Sequence, residues 1–120
     1  MANWSISPVF PDEQAASETD QRYEWTANFT LPAGHAFELV FWRRDEDPFV
    51  SGLGYAGTTT ETSDIVKWSD MEVAPDVYYW GVLLVKTDPY ERVKYLGGGR
   101  SFELWNWRNT AKNPKLGTGN

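Results

Sequence analysis

Residues 77–86 read Val-Tyr-Tyr-Trp-Gly-Val-Leu-Leu-Val-Lys, and this stretch decides the fold. Tyr78, Trp80, Val82 and Leu84 fall on one side of an extended chain. Tyr79, Gly81, Leu83 and Val85 fall on the other. Successive side chains of a strand point to opposite faces, and β-branched and aromatic residues suit that pleated surface. The run is the strongest strand in the sequence.

Upstream, Ala36–Trp42 is a second strand. Phe37, Leu39 and Phe41 share one face, and Val40 and Trp42 the other. A strand apolar on both faces is central, or is covered by a loop. Tyr23, Trp25, Ala27 and Phe29 alternate with Glu24, Thr26 and Asn28, the period of a half-buried strand. Leu31-Pro32-Ala33-Gly34 signals a turn between these two. Residues 3–12 read as an edge strand, because Pro8 and Pro11 limit ladder bonding. Asp12–Gln21 is polar and turn-like.

Beyond Trp42, Arg43–Pro48 is a charged break and Phe49–Gly57 a Gly-rich loop with a short strand. Thr58–Thr62 is extended, and Ile65–Trp68 is a short strand. Downstream of residue 86, Asp88-Pro89-Tyr90 and Gly97-Gly98-Gly99 bracket Val93–Leu96 as a hairpin region. Arg100–Trp105 closes the series, and 107–120 reads as a C-terminal tail or linker. No segment holds a helical period. About seven short strands with frequent turns predict one antiparallel β-sandwich over residues 1–106.

Composition narrows function by exclusion. Aromatics make up 16% of the 120 residues, and the formal net charge is −6. A nucleic-acid binder needs a basic footprint; none is present, so nucleic acid is not an expected partner. With no cysteine there is no disulfide, thiolate metal site or cysteine nucleophile. No apolar run approaches the roughly 20 residues that span a bilayer, and residues 1–4 do not open a signal peptide. If the domain is exported, the chain is a piece of something longer.

The candidate chemistry is sparse. His35 is the one histidine and sits in a turn, so it supports neither a catalytic triad nor a histidine metal site. Asp45-Glu46-Asp47 lacks the alternating ligands and glycine turn of a calcium loop. Glu61 with Asp64, or Glu72 with Asp76, would serve a glycosidase only across a cleft. Gly97-Gly98-Gly99-Arg100 lacks the Lys-Ser/Thr end of a phosphate loop. Asn28-Phe29-Thr30 matches a glycosylation sequon inside a strand, and is read as fortuitous. No catalytic residue, cofactor or metal is expected.

The aromatics carry what functional promise there is. Trp25, Trp80, Phe37, Leu39 and Phe102 are assigned to the core. Trp42, Tyr55, Trp68, Tyr90, Tyr95 and Trp105 are the candidate binding aromatics, since an exposed aromatic patch marks an interaction site.

The run Val73-Ala74-Pro75-Asp76-Val77-Tyr78-Tyr79-Trp80 resembles the corner before strand F of fibronectin type III and immunoglobulin-like domains. There a tyrosine ties its hydroxyl back to the corner backbone, and Tyr78 matches that position, with Tyr79 a second candidate. Pro8–Pro11 resembles strand A of those families, Tyr23–Trp25 strand B, Phe37–Trp42 strand C, and Arg100–Trp105 strand G. The chain is similar to modules of this kind in bacterial cell-surface and membrane-anchored proteins. The resemblance implies a non-catalytic spacer or protein-binding module of a larger, extracytoplasmic bacterial protein, with a cytoplasmic location left open. Binding would use the loops Phe49–Tyr55 and Tyr90–Leu96, or an edge strand. The alternative is a carbohydrate-binding module that takes polysaccharide on exposed Trp and Tyr.

Overall fold

The computed structural model describes residues 3–12, 15–17, 20–71 and 73–104. Its strands are β1 (Ile6–Phe10), β2 (Ala15–Ser17), β3 (Asp20–Ala27), β4 (His35–Trp42), β5 (Thr58–Thr59), β6 (Ser63–Lys67), β7 (Asp76–Thr87) and β8 (Tyr90–Leu104). One short helix, α1 (Pro48–Ser51), lies between β4 and β5. The strands form two sheets, ordered β1-β3-β6 and β2-β8-β7-β4-β5. All pairs are antiparallel except β2 with β8, which runs parallel. The fold is a mainly antiparallel, sandwich-like all-β domain.

The main core lies between the sheets. Tyr23, Trp25 and Val66 point inward from the three-stranded sheet. Phe37, Leu39, Phe41, Tyr78, Trp80, Val82, Leu84 and Phe102 meet them from the five-stranded sheet. Tyr23 is the hub, with its ring edge-on to Phe41, Trp80 and Phe102 at 5.1–5.7 Å. Each such aromatic pair is worth about 0.5–1.5 kcal/mol beyond burial. The alternation of residues 77–86 and 36–42 is the one the sequence predicts.

A second apolar cluster covers the opposite face of the five-stranded sheet. Ala36, Val40, Trp42, Leu83 and Val85 are buried there, with Phe49, Tyr79 and Tyr95 packed on them. Residues 48–54 form a strap that folds back over this face, and Tyr55 then turns to the inner side. The Asp47 carboxylate accepts the amides of Phe49 and Val50, and Pro48 opens the helix, where its missing N–H costs nothing. After the helix, Leu53 and Phe41 exchange two backbone hydrogen bonds at 2.9 and 3.0 Å.

Three sequence-based expectations change. Gly97-Gly98-Gly99 does not turn the chain: β8 runs through it, paired to β7 from Thr87–Tyr90 to Asp76–Leu104. The glycines do adopt positive φ, as a turn would need, but here they serve bulges. The register shifts between Trp80 and Gly81, and twice more along the pair. The polar stretch 12–21 is not all turn, because it holds β2 and the start of β3. Trp68 lies just past β6 in a 3-10 turn.

Candidate binding surface

The predicted binding aromatics do not share one patch. Trp68 is fully buried, and its indole N–H donates to the Tyr23 hydroxyl at 3.0 Å. Tyr55 is half-buried on the inner side of β4, against Phe41 and Trp68. Tyr90 is half exposed, and its hydroxyl donates to the Glu38 carboxylate. Trp105 lies outside the described residues, as does Glu72. Trp42 and Tyr95 do come together, edge to face at 5.8 Å.

Those two meet over Gly81. A Cβ built on Gly81 would sit 2.6 Å from the Gly97 carbonyl, 2.9 Å from Trp42 and 3.0 Å from Tyr95. The missing side chain leaves room for both rings to approach the backbone of the sheet. Tyr79 adds a third ring, near-parallel to Trp42 at an interplanar angle of 17° and a centroid distance of 6.3 Å. That separation means the rings are offset rather than face to face. Trp42 is only 8% exposed, so Tyr79 and Tyr95 carry most of the accessible aromatic surface.

Arg43 rises from the end of β4 between two hollows. One, of about 420 Å³, is lined by Tyr55, Tyr78, Leu53, Ser51 and Glu46 among others. The other, of about 380 Å³, is lined by Arg44, Asp76, Val77 and Tyr79. Arg43 borders both. Its guanidinium sits 5.5 Å from the Tyr78 ring centroid, donates to the Tyr78 hydroxyl at 3.3 Å and stands 3.5 Å from the Asp76 carboxylate. These contacts, the hydroxyl first, raise its pKa further. The Tyr78 hydroxyl in turn donates to the Ala74 carbonyl at 2.9 Å. Burial pushes the Tyr55 phenol up. Both hollows pair aromatic or aliphatic walls with charged rims, as small binding sites do.

At the other end of the same face, a polar knot fastens the strap. Arg92 donates to the carbonyls of Phe49 and Gly52 at 2.8 and 2.6 Å and to the Tyr90 hydroxyl at 3.1 Å. Its Nε stands 3.8 Å from the buried Glu38 carboxylate. Burial, then Glu38, raise the Tyr90 phenol. Residues 90–96, expected as a binding loop, are instead the start of strand β8 paired to β7; Arg92 ties them to 49–52, so less of either segment is free for a partner than the sequence suggests.

The remaining sequence candidates have structural tasks. His35 Nδ1 lies 2.9 Å from the Ala33 carbonyl. Glu46 accepts the Arg43 amide, and Asp47 caps α1. Asn28 bridges the backbone of Asn3 and Ser5. A further hollow, of about 520 Å³, opens beside Phe29, Leu31, His35, Thr60 and Thr62. Among the described residues, no group of three or more His, Asp or Glu is placed to hold a metal ion, and no helix is long and apolar enough to cross a membrane.

No family model, curated protein or solved structure matches the chain.

Proposed function

We infer that the chain is a non-catalytic, protein-binding β-sandwich module, fibronectin type III or immunoglobulin-like, within a larger bacterial envelope protein. The observation that carries the reading is the Arg43 ridge between its two hollows. It offers what protein interfaces favour, an arginine and several tyrosines close together, backed by the buried Trp42. The family reading is supported by strand order. The sheet β1-β3-β6 corresponds to strands A, B and E, and β4-β7-β8 to C, F and G. The Tyr78 hydroxyl bonds backward to Ala74, as a tyrosine corner does.

A second reading, a spacer, draws on strand direction. β1 pairs antiparallel to β3, with Ile6 opposite Ala27, and β8 ends at Leu104 opposite Asp76. The chain enters toward the Asn28 end and leaves beside the Trp42 end. An extracytoplasmic chain of such modules would stack end to end. The carbohydrate-binding alternative has Trp42, Tyr79 and Tyr95 to work with.

Replacing the module in its parent protein separates these readings. A protein-binding module is not rescued by an unrelated sandwich of equal length, and it fails with Arg43→Glu plus Tyr79→Ala in place. Full rescue by the unrelated sandwich favours the spacer. Quenching of tryptophan fluorescence by a polysaccharide, lost in Tyr79→Ala, favours carbohydrate.

A further inference from the structure

The free edge of β6 is guarded by its own side chain. Residue pairs in an antiparallel ladder alternate between hydrogen-bonded and non-bonded. The Trp25 amide donates to the Thr62 carbonyl at 3.0 Å, so that pair is bonded. Stepping along the register, Tyr23–Asp64 is bonded and Arg22–Ile65 is not. The Ile65 amide therefore points away from β3, and so do those of Ser63 and Lys67. Among the described residues, no strand lies on that side of β6. The Asp64 carboxylate turns back and accepts the Ile65 amide at 2.9 Å.

The other edges are closed by different means. β1 carries Pro8 and a bulge, and Arg100 takes the carbonyls of Val9 and Pro11. β5 is two residues long. β2, the edge beside β8, is three residues long. Among the described residues, only β6 is a straight edge of five residues, and its central side chain, Ile65, is 52% exposed. An unpaired edge of this kind templates strand addition unless something blocks it.

We propose that the β6 edge is a latent pairing site for a second copy of this chain, held shut by Asp64. The sequence Ser63-Asp64-Ile65-Val66-Lys67 can pair with its own copy about Ile65. Antiparallel pairing on that centre sets Ile65 against Ile65, Ser63 against Lys67 and Asp64 against Val66. No like charges face one another, and the contact closes with two-fold symmetry. The Ile65 pair is also of the bonded kind, because its amides face the edge. In the wild type the Asp64 carboxylate already holds the central donor.

The test is sedimentation of the full 120-residue chain as wild type, Asp64→Ala and Asp64→Val. Removing the cap is expected to tighten the dimer dissociation constant about tenfold or more. Adding Ile65→Pro should return the monomer, since proline is tolerated where its missing N–H faces outward. Two results overturn the proposal: folded variants that sediment as wild type does, or association that survives Ile65→Pro. Dimers that form only through another surface, located by cross-linking away from 63–67, also overturn it. Should both Asp64 variants fail to fold, hydrogen exchange on the wild type decides. The Ile65 amide must exchange more slowly than those of Ser63 and Lys67, and equal rates overturn the guard.

Discussion

Arg92 of β8 stands 3.8 Å from the Glu38 carboxylate of β4, and through Phe49 and Gly52 it also holds the strap that buries that carboxylate. One guanidinium thus joins strand, strand and loop. Arg92→Ala would leave two carbonyls and a buried carboxylate short of donors. Loss of one partner of a buried pair costs about 3–5 kcal/mol, and partial exposure of Arg92 places the expected loss toward about 2–3 kcal/mol. Arg92→Lys should recover little, because an ammonium lacks the planar fork that spans two carbonyls. Urea denaturation measures the loss, and hydrogen exchange should show faster exchange confined to 49–53. A global loss without that local change would refute the latch.

Gly81→Ala tests the aromatic face. Its Cβ would meet the Gly97 carbonyl at 2.6 Å, a backbone atom that cannot swing away. Overpacking of this kind costs about 1–3 kcal/mol. The Trp42 and Tyr95 rings would also be lifted off the sheet, so near-ultraviolet circular dichroism should change with stability. An unchanged aromatic spectrum would mean that the rings do not rest on residue 81.

Tyr78→Phe removes two hydrogen bonds but leaves the ring under Arg43. The expected cost is about 1–3 kcal/mol, since each net bond is worth about 0.5–1.5. Tyr78→Leu should cost more, because it also removes the ring that Arg43 covers and that packs on Phe102. Equal losses for the two variants would assign the residue's contribution to the hydroxyl alone.

What the sequence made legible follows from range. Residues 36–42 and 77–86 declare themselves by alternation, which is local. The strap is not local: Arg92 meets Phe49 and Gly52 across about forty residues, and no periodicity marks it. Positive φ at Gly97–Gly99 suits a turn and a bulge equally, and only pairing with β7 separates them. Trp68 looked spare because it ends the short expected strand 65–68. It is buried by the turn that carries it beneath Tyr23 and Phe41. The Arg43 hollows went unseen because their walls come from the strap, β4 and the turn before β7.

Asp64 should carry a stability cost that depends on pH. Burial raises its carboxyl above the ordinary 3.8, and the Ile65 amide offsets this only in part. Between the ordinary and the raised value, the folded chain binds more of the proton than the unfolded chain does. Stability contributed by this group is therefore present below 3.8 and falls as pH rises through the raised value. Asp64→Asn keeps a side-chain acceptor for the Ile65 amide but does not titrate. Relative to Asp64→Asn, the wild type should lose stability as pH climbs through that window, and the difference should then level off. Urea denaturation at a series of pH values reads it directly. A difference that stays flat, or that favours the wild type as pH rises, would show that the carboxylate is not desolvated at this edge. A cost in the predicted direction would mean that β6 gives up stability to keep its central amide occupied, which is how edge strands are defended against pairing.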